Sequence, residues 1–332
     1  MKKVLFATTA LIATAGMASA DITWRGFGRF GVVHNEGNAA NETYLTQRMR
    51  LTVTGTAESD AGVEFEGRMR IESNETAADP DARANASGFG AAGFAVTSGG
   101  FRLDVGSVSN VIDSGDMVAH GGASVGMQGF IGNNTGFGLP ANGFGTGGSA
   151  VAGLAIDSDA DGDGDNDFVD ENGNPVNIKD ATGVDPIIKL RYRAGDLTVS
   201  ASYRDADEQT QVGIGYKFGN YSAGIVMGED EAANTDFVAA GLTGSVGAAD
   251  FAFLVADNDA RASTSVGLTV AYDMSAATEL RFAVSDSGAA GDDTAYAVGF
   301  RHSLGGGVSL QGGVGEDNAG NSRGDLGVVF NF

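Results

Sequence analysis

The amino-acid sequence predicts an all-β protein: a transmembrane, antiparallel up-and-down β-barrel of sixteen strands. Three observations predict it. Beyond the first twenty residues, no apolar run approaches the roughly 20 residues that a membrane-crossing helix requires. Apolar and polar residues instead alternate with a period of two, which sends successive side chains to opposite faces of a strand. The connections between these segments alternate between short and long, as in a barrel with turns at one end and loops at the other.

Residues 1–20 carry an export address rather than structure. Lys2 and Lys3 give a positive start, Val4 to Ala15 is an apolar run broken only by Thr, and Ala18, Ser19 and Ala20 form a small-residue cleavage site. We therefore expect residues 1–20 to be a cleaved secretory signal peptide and 21–332 to be the barrel domain. The chain has 43 acidic and 20 basic residues, a formal net charge of -23 and no Cys. Lack of Cys excludes disulfides, thiol catalysis and thiolate metal sites, and the acidity argues against nucleic acid as a partner.

The strand grammar is plainest near the start. Leu45, Gln47, Met49, Leu51 and Val53 interleave with Thr46, Arg48, Arg50, Thr52 and Thr54, so one face is mostly apolar and the other charged or hydroxylic. Val63, Phe65, Gly67, Met69 and Ile71 interleave in the same way with Glu64, Glu66, Arg68, Arg70 and Glu72. Short turns are expected at 55–62, 97–100, 194–196, 218–221, 247–250, 275–278 and 304–307, where Gly, Asn, Asp and Ser collect. Longer polar links fall at about 35–43, 75–87, 113–183, 205–209, 229–235, 257–263, 286–293 and 316–322. These fifteen connections join sixteen strands. The last of them ends with Leu326, Val328, Phe330 and Phe332 on one face. Those aromatics, with Trp24, Phe30, Tyr192, Tyr203, Tyr216, Phe218, Tyr221, Tyr272, Tyr296 and Phe300, suit a girdle at the membrane interface. A soluble sandwich is the competing all-β reading, but Arg and Lys crowd the faces that a packed interior would need apolar.

Strand parity names the residues of a wetted lumen. Arg25 and Arg29, Arg48 and Arg50, and Arg68 and Arg70 fall on the polar face of the first three strands, and Arg102, Lys189, Arg191 and Arg193 extend the basic set. On the lipid face at midplane each would cost ~2–4 kcal/mol, so they are expected to point inward. Some are expected simply to pair with Glu64, Glu66, Glu72 and Asp104. Asp113 and Asp116, at the start of the long link, are the candidate acids that would face the basic wall across a narrow passage.

Within that link, Asp159, Asp161, Asp163, Asp165, Asp167 and Asp170 stand at positions 1, 3, 5, 7, 9 and 12 of a twelve-residue loop, with Gly164 at position 6. Alternating carboxylates around a Gly turn let one short segment wrap a calcium ion, so weak calcium binding is expected here, although Asp rather than Glu stands at position 12. A solvated acidic loop is the plainer alternative, and a magnesium-filled loop or one that bridges lipopolysaccharide is a third. Two catalytic-looking motifs lack their context. Gly26-Phe-Gly-Arg-Phe-Gly31 matches a dinucleotide fingerprint without the following helix, and Gly122-Ala-Ser-Val-Gly126 matches a nucleophile elbow without a strand-to-helix turn.

Ile22-Thr-Trp-Arg-Gly-Phe-Gly-Arg-Phe-Gly31, the block from Gln47 to Thr56 with its continuation to Arg70, the segment Asp292 to Gly299 and the ending Asp325 to Phe332 resemble the Rhodobacter-type general diffusion porins of alphaproteobacteria. The resemblance follows strand order along the whole mature chain and is close in those blocks; residues 113–183 are longer, Gly-rich and then Asp-rich. It implies a homotrimer of sixteen-stranded barrels in the bacterial outer membrane, with the third long loop folded inward as a constriction. It also implies calcium near the loops, no required cofactor, and passive diffusion of ions and small hydrophilic solutes through a barrel embedded among lipid and lipopolysaccharide. The competing functions are an outer-membrane barrel enzyme, for which His120 with Ser124 is the only candidate set, and a calcium-dependent surface or adhesive protein built on the Asp-rich loop.

Overall fold

A computed structural model describes residues 21–39, 41–76, 88–140, 155–157, 167–169, 186–205, 208–231 and 234–332. The expected signal peptide at 1–20 lies outside the described residues. The first strands are β1 (Asp21–Asn35), β2 (Thr43–Glu58), β3 (Glu64–Thr76), β4 (Gly88–Phe89), β5 (Gly93–Ser98) and β6 (Phe101–Gly106). A small hairpin follows, β7 (Ala155–Asp157) and β8 (Asp167–Val169). The chain continues through β9 (Ile187–Ala194), β10 (Leu197–Arg204), β11 (Gln209–Phe218), β12 (Tyr221–Asp230), β13 (Thr235–Val246) and β14 (Ala249–Asn258). It ends with β15 (Ser265–Asp273), β16 (Thr278–Asp286), β17 (Ala295–Gly305), β18 (Val308–Glu316) and β19 (Ser322–Asn331).

Each wall strand pairs antiparallel with its neighbour, β6 pairs with β9 across the third long loop, and β1 pairs with β19, which closes the sheet. β4 and β5 both lie against β3 as two pieces of one wall strand, and β7 pairs only with β8. The wall is therefore a closed barrel of sixteen strands. Closure leaves no sheet edge whose N–H and C=O groups would go unpaired in lipid.

Side-chain direction follows the alternation. In β12 Ile225 and Met227 are exposed whereas Val226 between them is fully buried. The outward residues form an apolar belt. Near the turn end the belt becomes aromatic, with Phe101 against Tyr192 at 4.4 Å between ring centroids and a row through Tyr216, Phe218, Tyr221 and Phe251 at 5.8 to 6.4 Å.

Facing inward, most of the buried apolar residues lie between the wall and the third loop. β6 ends at Gly106 with φ of 97°, and Ser107 to Pro140 then run along the inner faces of the later strands. Val111, Ile112, Met117, Val118, Phe137 and Leu139 of the loop pack on Val226, Phe237, Ala239, Leu254 and Ala256. Val125 and Ile131 pack on Ala283, Ala295 and Ala297, and Met127 on Val33 and Val329. Two inner-wall glycines make this approach possible. A Cβ at Gly224 would collide with the Met117 carbonyl, and one at Gly267 with the Asn133 carbonyl.

Candidate pore constriction

The inner faces of β1, β2 and β3 carry Arg25 and Arg29, Arg48 and Arg50, and Arg68 and Arg70, in alternation with outward residues such as Trp24, Phe30, Met49 and Phe65. Antiparallel register sets Arg29 directly opposite Arg48, Arg50 opposite Glu72, Arg70 opposite Thr52 and Arg68 opposite Thr54. Glu72 accepts from Arg48 at 2.6 Å and from Arg50 at still closer range, so one carboxylate is shared by two guanidiniums. Arg102 reaches Glu66 at 3.2 Å and Asp104 at 2.9 Å, and Arg68 lies 3.9 Å from Glu66. Lys189 is buried on the inner face in register with Asp104.

The acids at the start of the loop separate in role. Both oxygens of Asp116 accept from Arg191 Nη1, at 2.8 and 2.9 Å, and Arg193 Nη2 lies at 3.5 Å. Arg191 and Arg193 thus hold Asp116. Asp113 donates its amide to Asn110 Oδ1 at 3.0 Å, which fixes the turn, while its carboxylate makes no ion pair within 4.0 Å among the described residues. Its charge is felt by His120: burial lowers the imidazole pKa and Asp113 offsets part of that drop. Ser124 donates to the Gly121 carbonyl at 3.3 Å and the His120 ring meets Asn134 Nδ2 at 3.2 Å, so the two do not form a nucleophile–base contact.

Several inner-face residues not singled out from the sequence hold the loop. Asp325 of β19 accepts the amides of Met127 and Gln128, each at 2.8 Å. Arg281 donates to the Ser124 carbonyl at 3.1 Å, Thr269 accepts the Ala123 amide at 3.0 Å, and Ser285 donates to the Thr135 carbonyl at 3.2 Å. At the loop's start, buried Gln211 accepts the Ile112 amide and donates to the Pro140 carbonyl, and Asn110 donates to Gln209. All of these wall residues occupy inward parity positions. Parity could have placed them in the lumen, but it carries no sign of which would meet the loop.

Asp159, Asp161, Asp163, Asp165 and Asp170 lie outside the described residues, and Asp167 opens β8 in register with Asp157. Among the described residues no three His, Asp or Glu side chains are placed to hold a metal ion.

A porin of Fuscovulum blasticum is 27% identical over 337 residues, taking in 94% of this chain and 100% of that protein. A triple mutant of the Rhodopseudomonas blastica porin superposes with a TM-score of 0.71 at 22% identity, covering 94% of this chain and 100% of that one. Another substituted form of that porin superposes with a TM-score of 0.72 at 22% identity and the same coverage. Residues 7–322 match the Gram-negative porin family, and the chain belongs to it: it is a bacterial outer-membrane channel for passive diffusion and not an enzyme.

Proposed function

We propose that the channel passes ions and small hydrophilic solutes through an eyelet bounded by the guanidinium wall of β1–β3 and by the inward loop that carries Asp113 and Asp116. The observation that carries this reading is the uneven charge of the lumen. Arg29, Arg48, Arg50 and Arg70 share one wall with Glu72, while Asp113, held further round on the loop, keeps a carboxylate free of ion pairing among the described residues. Fixed charges of opposite sign across a narrow aqueous gap orient water, favour small polar solutes and hinder apolar ones. Replacing Arg48, Arg50 and Arg68 with Gln is expected to raise cation preference, read as a shift of the reversal potential under a KCl gradient in planar bilayers. An unmoved reversal potential rejects the eyelet role.

Finer features follow from the resemblance and from sequence pattern. We assign residues 1–20 to a cleaved signal peptide, residues 113–183 with their Asp-rich insert to the constriction loop that leaves the wall at Gly106, and the assembled state to a homotrimer. Lipid and lipopolysaccharide would surround the apolar belt, where an outward groove of about 620 Å³ between Phe30, Val32, Leu45, Leu326 and Val328 suits an acyl chain. The carboxylates of Asp159, Asp161, Asp163, Asp165, Asp167 and Asp170 supply the oxygen donors that calcium prefers, with an affinity as weak as that of extracellular modules. Calcium is expected to slow proteolysis between residues 155 and 185 in the intact protein, with protection lost on adding chelator. Equal cleavage with and without chelator removes this assignment.

A further inference from the structure

We propose that the inner face of β1–β3 is a saturable binding site for dianionic tetrahedral oxyanions, held by Arg29, Arg48 and Arg50. The chemistry is that of a phosphate group, free or carried by a small solute. The proposal deepens the eyelet reading and rests on it.

Four observations meet at this wall. Arg29 and Arg48 are direct cross-strand partners on one face. Like charges so placed repel, and a barrel wall has no structural need for them. Glu72 serves both Arg48 and Arg50, so the group keeps an excess of positive charge after its ion pairs are made. Asp325, the other acid whose charge reaches Arg29, turns both oxygens to the amides of Met127 and Gln128. The Nε atoms of Arg29 and Arg48 are buried and have no hydrogen-bond partner among the described residues. Those atoms are shut off from the lumen, so an oxyanion there meets what the side chains of Arg48 and Arg50 still expose, 21% and 23% respectively.

A tetrahedral oxyanion matches this set better than a halide does. Guanidinium forks present paired N–H donors spaced for two oxygens of one group. A dianion also gains twice the Coulomb energy of chloride, and the half-buried wall screens it less than open water would.

The test uses the full mature chain in planar bilayers, with KCl current recorded at constant ionic strength while inorganic phosphate replaces chloride at pH 8. The wild-type current is expected to fall along a saturating curve. Arg29→Gln and Arg48→Gln are each expected to raise the half-blocking concentration about tenfold, the loss of one charge-assisted contact. Glu72→Gln, which removes the competing carboxylate, is expected to lower it and serves as an independent variant should an Arg replacement fail to assemble. Arg301→Gln, on the inner face of β17, is expected to change nothing. A sugar phosphate forms the second arm: block by both probes assigns the site to the phosphate group generally, and block by inorganic phosphate alone assigns it to the free ion. A linear, unsaturating fall that is the same in every variant overturns the proposal. If the Arg variants then still shift the KCl reversal potential, the eyelet stands and only the oxyanion site fails; if the potential is also unmoved, both readings fail.

Discussion

Ile225 and Val226 are neighbours in sequence with opposite surroundings: Ile225 is 44% exposed on the outer belt and Val226 is 0% exposed in the cluster that joins the wall to the loop. Parity alone separates them, because a strand sends successive side chains to opposite faces. A charge at mid-strand should therefore be costly at one site and cheap at another. Ile225→Lys is expected to lower stability by about 2–4 kcal/mol in lipid, whereas Thr52→Glu, on the inner face of β2 between Arg25 and Arg70, is expected to cost no more than about 0.5 kcal/mol. Denaturant unfolding of the barrel in lipid vesicles checks both, and equal costs would contradict the assigned faces. The inward placement of the arginines was legible for the same reason. The pairing of Asp116 was not: the acid was visible, but its guanidinium partner lies 75 residues away in sequence.

At the scale of elements, turns and strands were legible to within a few residues. The turns at Gly195–Asp196 and Gly219–Asn220 lie inside the segments where Gly, Asn and Asp signalled them. The third loop was less legible at its start. Val108, Val111 and Ile112 continue an apolar pattern, yet the chain has already left the wall at Gly106 and these residues form the loop's own core. Apolar residues that pack beneath a loop and those that face lipid obey the same pattern, so sequence does not tell them apart. The loop is then seated by close backbone approach and by one carboxylate. Gly267→Val forces the Asn133 segment away from β15, and Asp325→Asn keeps one acceptor but turns an NH2 to the second backbone amide, a loss of about 1.5–3 kcal/mol of local anchoring. Both variants are expected to give larger and noisier single-channel currents and to admit larger oligosaccharides in liposome swelling. Unchanged noise and an unchanged size limit would show that the seat does not govern the opening.

For the whole molecule, a net charge of -23 is a poor guide to what the pore prefers. Charge acts over about 10 Å at 0.1 M salt, so the lumen responds to its own wall rather than to the total. That wall is basic across β1–β3, while many of the acids lie in the connections beyond it. The selectivity shift expected on neutralising Arg48, Arg50 and Arg68 belongs to this scale, because it reads the field of the assembled lumen.

The architecture was readable along the chain: sixteen amphipathic strands, their two faces and the order of turns and loops. Those features follow from alternation and turn chemistry, which act between near neighbours in the chain. How the loop lies in the lumen, and which charges it neutralises, emerged with the folded barrel alone. Closing the barrel sets Asp325 against the Met127 amide 198 residues away, and no local pattern encodes a contact made by closure.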